Sequence, residues 1–305
     1  MQKSILTLIV CCFVTLSPFV QAKLETEQKV EQKHSSDKPT IVALAPHIVE
    51  MLYAIGAGDQ IVGTTDYSNY PESAKKIPRI ANHARLQIER FVEIKPDLVI
   101  AWQSGNPPED INKLRELGFK VVYSQPNTLM DVASELLTFG KLTGHHQQAK
   151  QVAAEYVDKL NQLQTKYQNK SKVSVFYEVW SNPLSTIAKG AWPQLHLDLC
   201  GATNPFYQGE NSYPNVSIEQ ILKHDIQLII TPRSGHHSDS DAKEQKNVTS
   251  GYDWSRWKLL KAVQHQQYAR PNADLLHRMT PRVLDEIGRL CEAIDQTRQF
   301  YHNKP

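Results

Sequence analysis

Residues 88–102 read IERFVEIKPDLVIAW, a helix-like run followed by Pro96 and then a short apolar run typical of a buried strand. A second stretch, residues 218–230, repeats this order as IEQILKHDIQLII. Residues 88–92 align without a gap onto residues 218–222, and the same register brings the two apolar strand runs together. We interpret the match as an internal duplication, which predicts two similar lobes.

Around each copy of this unit, short apolar runs alternate with helix-like segments. Strands separated by helices of about ten residues predict mainly parallel sheets that are covered on both faces. The sequence therefore predicts an α/β fold of two Rossmann-like lobes. The apolar runs lie at 41–44, 61–63, 98–102 and 121–123 in the first half, and at 173–177 and 228–231 in the second.

One long amphipathic segment lies between the halves. From His145 to Tyr167 apolar residues recur at spacings of three and four, which predicts one helix of about 25 residues, or about 38 Å. Such a helix would act as a stiff strut and allow only small lobe movements. We assign residues 39–143 to the first ligand-binding lobe, 144–170 to the connecting helix and 171–305 to the second lobe.

The charge balance argues against a nucleic-acid partner. The chain has 34 Lys+Arg against 32 Asp+Glu, whereas a nucleic-acid binder normally carries a basic excess on one domain. With 40% hydrophobic residues in 305, the chain has enough apolar mass for one large or two medium cores.

The first 22 residues have the pattern of a secretory signal. Lys3 supplies the positive start, residues 4–20 are mostly apolar, and the small residue Ala22 suits a signal peptidase. We expect cleavage near Ala22 and export of the mature chain; a retained membrane anchor is the alternative. Residues 23–38 carry charge and few large apolar side chains, which predicts a flexible charged leader.

Removal of the signal also takes away Cys11 and Cys12 and leaves Cys200 and Cys291. In an oxidising compartment these two have one intramolecular pairing available, and we expect a disulfide bond. Two buried free thiols are the alternative. A bond closing a loop of roughly 90 residues would contribute about 4 kcal/mol to stability.

Three stretches together resemble a known family. They are residues 41–71 (IVALAPHIVEMLYAIGAGDQIVGTTDYSNYP), residues 88–102, and residues 279–294 (MTPRVLDEIGRLCEAI). Over about residues 39–298 the chain is similar to periplasmic binding proteins of the helical-backbone class, which serve ABC importers of iron-siderophores, haem and cobalamin. Within that class, Tyr67, Trp102 and the paired cysteines resemble the cobalamin-binding members.

The resemblance implies a periplasmic protein with a ligand site between its lobes, at loops that follow the strands. A corrinoid is a large flattened ring, so broad aromatic faces and a few hydrogen-bond donors suit it better than formal charge. For any single aromatic residue, simple packing is the alternative. By the resemblance, Tyr67, Trp102 and Tyr213 match positions that contact cobalamin, and residues 274–278 match a binding loop of the second lobe. The predicted ligand-binding residues are Tyr67, His83, Trp102, Trp180, Tyr213, Asp274, Leu275, Leu276, His277 and Arg278.

Two of these residues depart from the family pattern. His83 stands where the family has a tryptophan, and the family has phenylalanines near Val179 and Ser185, where this chain offers Trp180. His83 could hydrogen-bond a corrin amide or approach the cobalt, and a polar surface position is the alternative. The departures leave the mode of capture intact and put the detailed contacts in question.

Glu89 and Glu219 occupy equivalent places in the internal repeat. In the family, one acidic residue on each lobe docks with basic pockets on the membrane permease, so the resemblance implies that role here. The alternative is that both are favourable charges at helix N-termini, and both roles can hold. The expected partners are cobalamin and an inner-membrane ABC permease with its ATPase subunits, and the chain is expected to be a monomer.

The sequence leaves two other functions open. One is a siderophore or haem carrier of the same fold; the other is a periplasmic α/β hydrolase or transferase. The residues offer no nucleophile elbow, P-loop, zinc motif or complete dinucleotide loop. We therefore expect no enzyme activity, no catalytic or metal site and no resident cofactor, with cobalamin as cargo. The polar loop at 234–251 is given no function.

Overall fold

The first half of the chain folds around a parallel sheet whose strands are β1 (Ile41–Ala43), β2 (Ile61–Thr65), β3 (Arg79–Ala81), β4 (Leu98–Trp102) and β5 (Val121–Ser124). Their order across the sheet is β3-β2-β1-β4-β5. In this computed structural model the described residues are 38–82, 84–234 and 252–303. The signal segment, most of the leader, His83 and residues 235–251 of the polar loop lie outside them.

Three helices follow strands of this sheet: α1 (Pro46–Ala54), α2 (Ile88–Ile94) and α3 (Pro108–Glu116). Proline begins α1 and α3, a position where its missing N–H removes no helical hydrogen bond. The end of α2 is set by Lys95, which adopts the left-handed conformation with φ 51°. The apolar runs and their boundaries therefore produce the alternating strands and helices that the sequence predicts.

Both faces of this sheet are buried, as the continuous apolar runs predict. Ile41 and Ala43 of β1 belong to one hydrophobic cluster, while Val42 belongs to a second cluster on the opposite face. In β4, Leu98 and Val99 divide between the same two clusters. Side chains alternate across a strand, so a strand apolar at every position needs cover on both faces.

The second half holds a parallel sheet of β6 (Val173–Tyr177), β9 (Ala202–Thr203), β10 (Leu228–Ile230) and β11 (Tyr268–Ala269). Its strand order is β11-β10-β6-β9. A small antiparallel hairpin, β7 (Trp180–Ser181) with β8 (Leu184–Ser185), follows the first of these strands. The other elements of this half are α6 (Trp192–Leu199), α7 (Ile218–Leu222), α8 (Lys261–Gln264), α9 (Ala273–Leu276) and α10 (Val283–His302).

The two sheets have the same topology, which supports the internal duplication. In each half the strand that follows the repeated helix, β4 or β10, pairs in parallel with the first strand of its half, β1 or β6. The order β2-β1-β4-β5 in one sheet corresponds to β9-β6-β10-β11 in the other. The predicted α/β fold of two lobes with parallel sheets is therefore confirmed.

A pair of long helices, α4 (Leu129–Thr143) and α5 (His146–Tyr167), joins the halves. The 22 residues of α5 span about 33 Å, slightly less than expected. At the turn before α5, Gly144 has a φ of 78°, a conformation that favours glycine. Apolar side chains of α5 belong to one hydrophobic cluster together with residues of β1 and β6, so this helix shares a core with both sheets.

Cys200, which follows α6, and Cys291 on α10 form the predicted disulfide bond. Both residues are fully buried, and their Cα atoms are 4.7 Å apart. The bond links α10, the last helix, to the residue that follows α6. It closes a loop of the predicted length, with a sequence separation of 91.

Thr40–Pro305 forms one compact unit, so the boundaries 39–143, 144–170 and 171–305 stay predictions. The helix α5 lies inside the range given to the connecting helix. Across the described residues, no helix is both long and apolar enough to cross a membrane.

Candidate functional site

A cavity of about 560 Å³ opens between the two halves of the chain. On the side of the first half, the cavity wall lies where β4 and β5 end, since Trp102 is the last residue of β4 and Gln125 follows β5. Parallel sheets of this kind bind ligands at the carboxyl ends of their strands. The lining residues are Trp102, Ser104, Gln125, Pro126, Asn127, Lys189, Gly190, Ala191, Trp192, Gln194, Leu195, Asp198, Tyr207, Ser212, Tyr213 and Met279.

Trp102 is held in the cavity wall from several sides. The His47 ring and the indole form an edge-to-face pair, with ring centroids 5.5 Å apart and an interplanar angle of 82°. The Trp102 N–H donates to Asn106 Oδ1 at 2.7 Å, which closes the turn after β4. A Cβ atom on Gly105 would overlap the indole, so only glycine fits beside this ring. The aromatic face is therefore fixed before any ligand arrives.

Tyr213 lies on the opposite side of the cavity, on the loop between β9 and α7. Its ring keeps about half of its surface exposed (49%), and its N–H donates to Asn211 Oδ1 at 2.9 Å. Partial desolvation raises the pKa of the phenol, which keeps the hydroxyl protonated. Trp102 and Tyr213, predicted from the sequence as ligand residues of different lobes, thus line one cavity.

Tyr67 and Trp180 do not belong to the lining of this cavity. Both are largely exposed, Tyr67 at 77% on the loop after β2 and Trp180 at 59% on β7. Large aromatic rings left in solvent are a feature of binding surfaces. His83 lies outside the described residues, so its predicted role stays a prediction.

The predicted binding loop, residues 274–278, is mostly engaged with the protein itself. The Leu276 side chain is fully buried in the core, and its carbonyl accepts from Trp192 Nε1 at 3.1 Å. His277 Nε2 is hydrogen-bonded to the Tyr177 hydroxyl at 2.9 Å, and desolvation of the ring lowers the His277 pKa, although the residue keeps exposed surface. Asp274 and Leu275 are half-buried on α9.

Arg278, the strongest basic candidate for the ligand, is paired with the first half of the chain. Its guanidinium donates to Glu50 Oε1 at 2.7 Å and to Asn69 Oδ1 at 2.8 Å. Only 12% of the side chain is exposed. In this structure the Arg278 guanidinium therefore binds protein groups. The next residue along the chain, Met279, lines the cavity.

Several lining residues were missed by the sequence reasoning. Gln125, Pro126 and Asn127 follow the predicted strand 121–123, so the rule that ligands bind where strands end could have found them. Trp192 and Tyr207 carried no such signal, because a single aromatic residue in a loop or at a helix start is as compatible with packing.

A buried polar chain lies behind Trp102. His47 Nε2 and Ser124 Oγ are 3.0 Å apart, and Ser124 Oγ donates to Glu135 Oε2 at 2.6 Å. Because the one hydroxyl proton is used on Glu135, His47 Nε2 acts as the donor to Ser124. Burial, with a smaller effect of the Arg278 charge, lowers the pKa of His47 to about 3. Burial also raises the pKa of Glu135, against the opposing effect of its hydrogen bonds.

These residue types bear on the hydrolase alternative, which requires a histidine in reach of a serine and a carboxylate. Here the serine stands between the other two groups, whereas a catalytic triad places the histidine between serine and carboxylate. Ser124 is also fully buried and presents no nucleophile to the cavity. The arrangement suits a support for Trp102 and for Gln125, whose N–H donates to Glu135 Oε1 at 2.6 Å.

Glu89 and Glu219 are each the second residue of their helix, α2 and α7. Both are exposed, and neither belongs to an ion pair among the described residues. A hydrogen bond from the Ser217 side chain lowers the pKa of Glu219. The two carboxylates thus stand at equivalent, accessible places in the two lobes. In the part of the chain that the structure describes, no cluster of His, Cys, Asp and Glu could hold a metal ion.

Two α/β lobes around a half-open aromatic cavity define a bilobed ligand-binding protein. The chain belongs to the periplasmic binding protein family, whose model matches residues 41–271. It is 35% identical over 288 residues to the vitamin B12-binding protein of Vibrio cholerae, covering 94% of this chain and 96% of that relative.

Solved structures agree with this assignment. The crystal structure of the periplasmic vitamin B12 binding protein BtuF of Vibrio cholerae superposes with a TM-score of 0.76 at 36% identity, covering 86% of this chain and 98% of that one. The periplasmic heme-binding protein RhuT from Roseiflexus sp. RS-1 superposes with a TM-score of 0.70 at 19% identity, covering 86% and 99%. The second likeness shows the fold alone.

Proposed function

We propose that this chain captures cobalamin between its lobes in the periplasm and delivers it to an inner-membrane ABC importer. The observation that carries the proposal is the cavity that Trp102 and Tyr213 line from opposite lobes. The similarity to vitamin B12-binding proteins over nearly the whole chain supports the same ligand. Tyr67 and Trp180 would add aromatic surface outside the cavity when the large ring is bound.

The polarity of the cavity fits a neutral ring with a rim of amides. Neutral hydrogen-bonding side chains dominate its polar lining, with Ser104, Gln125, Asn127 and Ser212 as candidates to bond corrin amides, while the amide of Gln194 is bonded to Asp198 and Asn204. The two charged lining residues, Lys189 and Asp198, have opposite signs. An anionic ferric siderophore would need a net positive lining to offset its charge, and this cavity supplies none.

A calorimetric titration of the mature chain tests the ligand directly. Cyanocobalamin, haemin and an anionic ferric catecholate siderophore are each titrated into the protein in the same buffer. The proposal expects one cyanocobalamin per chain with sub-micromolar affinity and much weaker binding of the other two. Sub-micromolar binding of haemin or the siderophore without binding of cyanocobalamin would overturn it and favour the alternative carriers.

The remaining roles follow from this function. Glu89 and Glu219 would contact basic pockets of the permease, one on each lobe, with the ATPase subunits behind it. The chain would act as a monomer, because one permease contacts both lobes of a single carrier. Cobalamin would be cargo rather than a resident cofactor, and the ligand would leave unchanged, so we assign no enzyme activity. Cleavage near Ala22 would release the mature carrier into the periplasm.

A further inference from the structure

Two arginines of the second half of the chain converge on one carboxylate of the first half. Arg278 Nη1 donates to Glu50 Oε1 at 2.7 Å, and Arg282 binds Glu50 Oε2 through Nε at 3.0 Å and Nη2 at 2.9 Å. Glu50 lies on α1, and only 3% of its side chain is exposed. Each carboxylate oxygen therefore has its own guanidinium partner in a setting where solvent screens the charges little.

The same two arginines hold the loop that follows β2. Arg278 Nη1 donates a second hydrogen bond to Asn69 Oδ1 at 2.8 Å, and its Nη2 donates to the Tyr67 carbonyl at 3.2 Å. The Arg282 guanidinium lies over the Tyr70 ring, 3.3 Å from its centroid. Residues 67–70 are thus fixed from the other lobe, at their side chains and at the main chain.

Tyr67 depends on such support. Its φ of 62° lies in the left-handed region, which a residue with a side chain rarely adopts without help from its surroundings. Its ring is 77% exposed, so packing does little to orient it. The direction of the ring is therefore set mainly by the main chain, where the Tyr67 carbonyl accepts from the Asn69 N–H at 2.9 Å and from Arg278 Nη2 at 3.2 Å.

Three of the five N–H donors of Arg278 are committed to these protein groups. The two hydrogens on Nη1 are used by Glu50 and Asn69, and Nη2 bonds the Tyr67 carbonyl while lying 3.9 Å from Asp274 Oδ1. An arginine in this position acts on a ligand through the residues that it holds. Of those residues, Tyr67 has exposed aromatic surface, and the exposed ring of Tyr70 beside it is held by Arg282.

We propose that Arg278 and Arg282, held in place by Glu50, are positioning residues. They hold the loop of residues 67–70, the Tyr67 loop, and thereby set the affinity for the ligand. We call Glu50, Arg278 and Arg282 the Glu50 clamp. The proposal rests on the proposed function only in taking cobalamin as the ligand and Tyr67 as one of its contacts. In this proposal a residue of the second lobe's binding loop, Arg278, contributes to ligand binding by orienting Tyr67 on the first lobe.

A double-mutant cycle tests the clamp. Cyanocobalamin affinity is measured for the parent chain, Glu50→Gln, Tyr67→Ala and the double variant. Glu50→Gln keeps the size of the side chain and should weaken binding about tenfold, an effect that should shrink to about twofold when Tyr67 is already alanine. Equal effects in both backgrounds would overturn the proposal, as would an unchanged affinity in Glu50→Gln despite a lower melting temperature.

A matched control and a milder variant keep the result interpretable. Asp285→Asn removes a carboxylate on α10 that pairs with Lys159 on the surface, and it should leave the affinity unchanged. If Glu50→Gln fails to fold, Asn69→Ala removes one acceptor of Arg278 and leaves the buried ion pairs intact. Its effect should likewise disappear in the Tyr67→Ala background, and persistence there would count against the clamp.

Hydrogen exchange gives a readout that needs no ligand. Peptides covering residues 66–72 should exchange faster in Glu50→Gln than in Asp285→Asn, because the loop loses the contacts from the second lobe and keeps only those within the first, such as the bond from Arg79 Nη2 to the Ser68 carbonyl. Equal exchange in the two variants would overturn the clamp even if cobalamin proved to be the wrong ligand. If the parent chain does not bind cyanocobalamin but the loop exchanges faster, the proposed function fails and the clamp stands.

Discussion

Trp102 is the side chain on which the ligand proposal depends most. Its ring stands at the end of β4, lines the cavity, and packs against the His47 ring and against Gly105. A flat face that is held in place before binding loses little conformational freedom when a ring stacks on it. This rigidity makes the residue a strong candidate for a binding hot spot.

We expect Trp102→Ala to weaken cyanocobalamin binding by about 2 kcal/mol, roughly thirtyfold, without unfolding the lobe. The residue is only half-buried, so its loss leaves most of the core intact. Titration calorimetry and thermal unfolding give the two quantities. Trp102→Phe keeps an aromatic face, so its cyanocobalamin affinity should lie between those of the parent chain and Trp102→Ala. An unchanged affinity in Trp102→Ala would show that Trp102 does not belong to the site.

The Gly105→Ala substitution tests the position of the Trp102 indole without changing Trp102 itself. An added Cβ would occupy space that the indole fills, so the ring must shift and ligand affinity should fall about tenfold. Gly288→Ala on α10 is the control, because its new Cβ meets Leu163 at an ordinary distance of 3.7 Å. Calorimetry compares the two variants, and equal affinities would show that the position of the indole is not critical.

At the scale of elements, α2 and α7 are the two helices of the internal repeat. Each presents a glutamate as its second residue, and the strands that follow them occupy matching places in the two sheets. A partner that contacts both lobes therefore meets two similar acidic helix starts.

Glu89→Arg combined with Glu219→Arg should leave cobalamin affinity within about twofold of the parent but lower uptake at least about tenfold. Charge reversal turns attraction to basic pockets into repulsion, while both residues are exposed and away from the cavity lining. Binding is measured by titration, and uptake with the cognate permease in proteoliposomes.

Glu109→Arg with Glu116→Arg makes the control for that experiment. It changes the net charge equally, and Glu109 is also the second residue of its helix, α3. Uptake should stay close to that of the parent. Loss of ligand affinity in the Glu89/Glu219 double variant would argue against docking as the role of this pair.

The sequence predicts the main elements well for a physical reason. Strands buried on both faces are apolar at every position, and prolines and glycines mark where helices begin and end, so Leu98–Trp102 and Ile88–Ile94 can be read directly. The two-residue strands β9 and β11 are too short for any periodicity, and tertiary pairing alone defines them. The hairpin β7–β8 was not predicted for the same reason, because each of its strands has only two residues.

The candidate site was only partly predictable, because the contacts that decide it are long-range. Glu50 and Arg278 are 228 residues apart, and no local pattern links them. The burial of Leu276 likewise follows from packing between elements, although the family resemblance places this residue in a binding loop. Trp102 and Tyr213 were found because the family resemblance carries both residues and the rule about strand ends points to the first of them.

At the scale of the whole molecule, one hydrophobic cluster runs from β1 through α5 to β6 and α10. The stiff strut predicted from the sequence is thus packed into the core rather than exposed between separate lobes. Small lobe movements remain our expectation, since a wide hinge motion would have to break this shared packing.

Stability should fall as the pH drops below about 6.5. Burial lowers the pKa of His47 and of His196 to about 3, so the unfolded chain binds protons in this window that the native chain does not. Each histidine contributes up to about 1.4 kcal/mol of lost stability per pH unit until the pH approaches its native pKa. Urea unfolding at a series of pH values between 7.5 and 4.5 measures the slope.

His196 offers the variant for this test. Both ring nitrogens are buried and have no hydrogen-bond partner among the described residues, and the ring meets Trp192 edge-on. His196→Phe should flatten the slope, because the unfolded chain then has one fewer group to protonate. His302→Gln, at an exposed position, should leave the slope unchanged. Equal slopes in the parent and His196→Phe would contradict the prediction.

The central claim is that cobalamin is held between the lobes, and a crystal structure of the mature chain grown with cyanocobalamin tests it most directly. The account predicts one corrin ring in the cavity, in contact with Trp102 on one side and Tyr213 on the other. A corrin bound elsewhere, or a cavity without corrin at saturating cyanocobalamin, would contradict it.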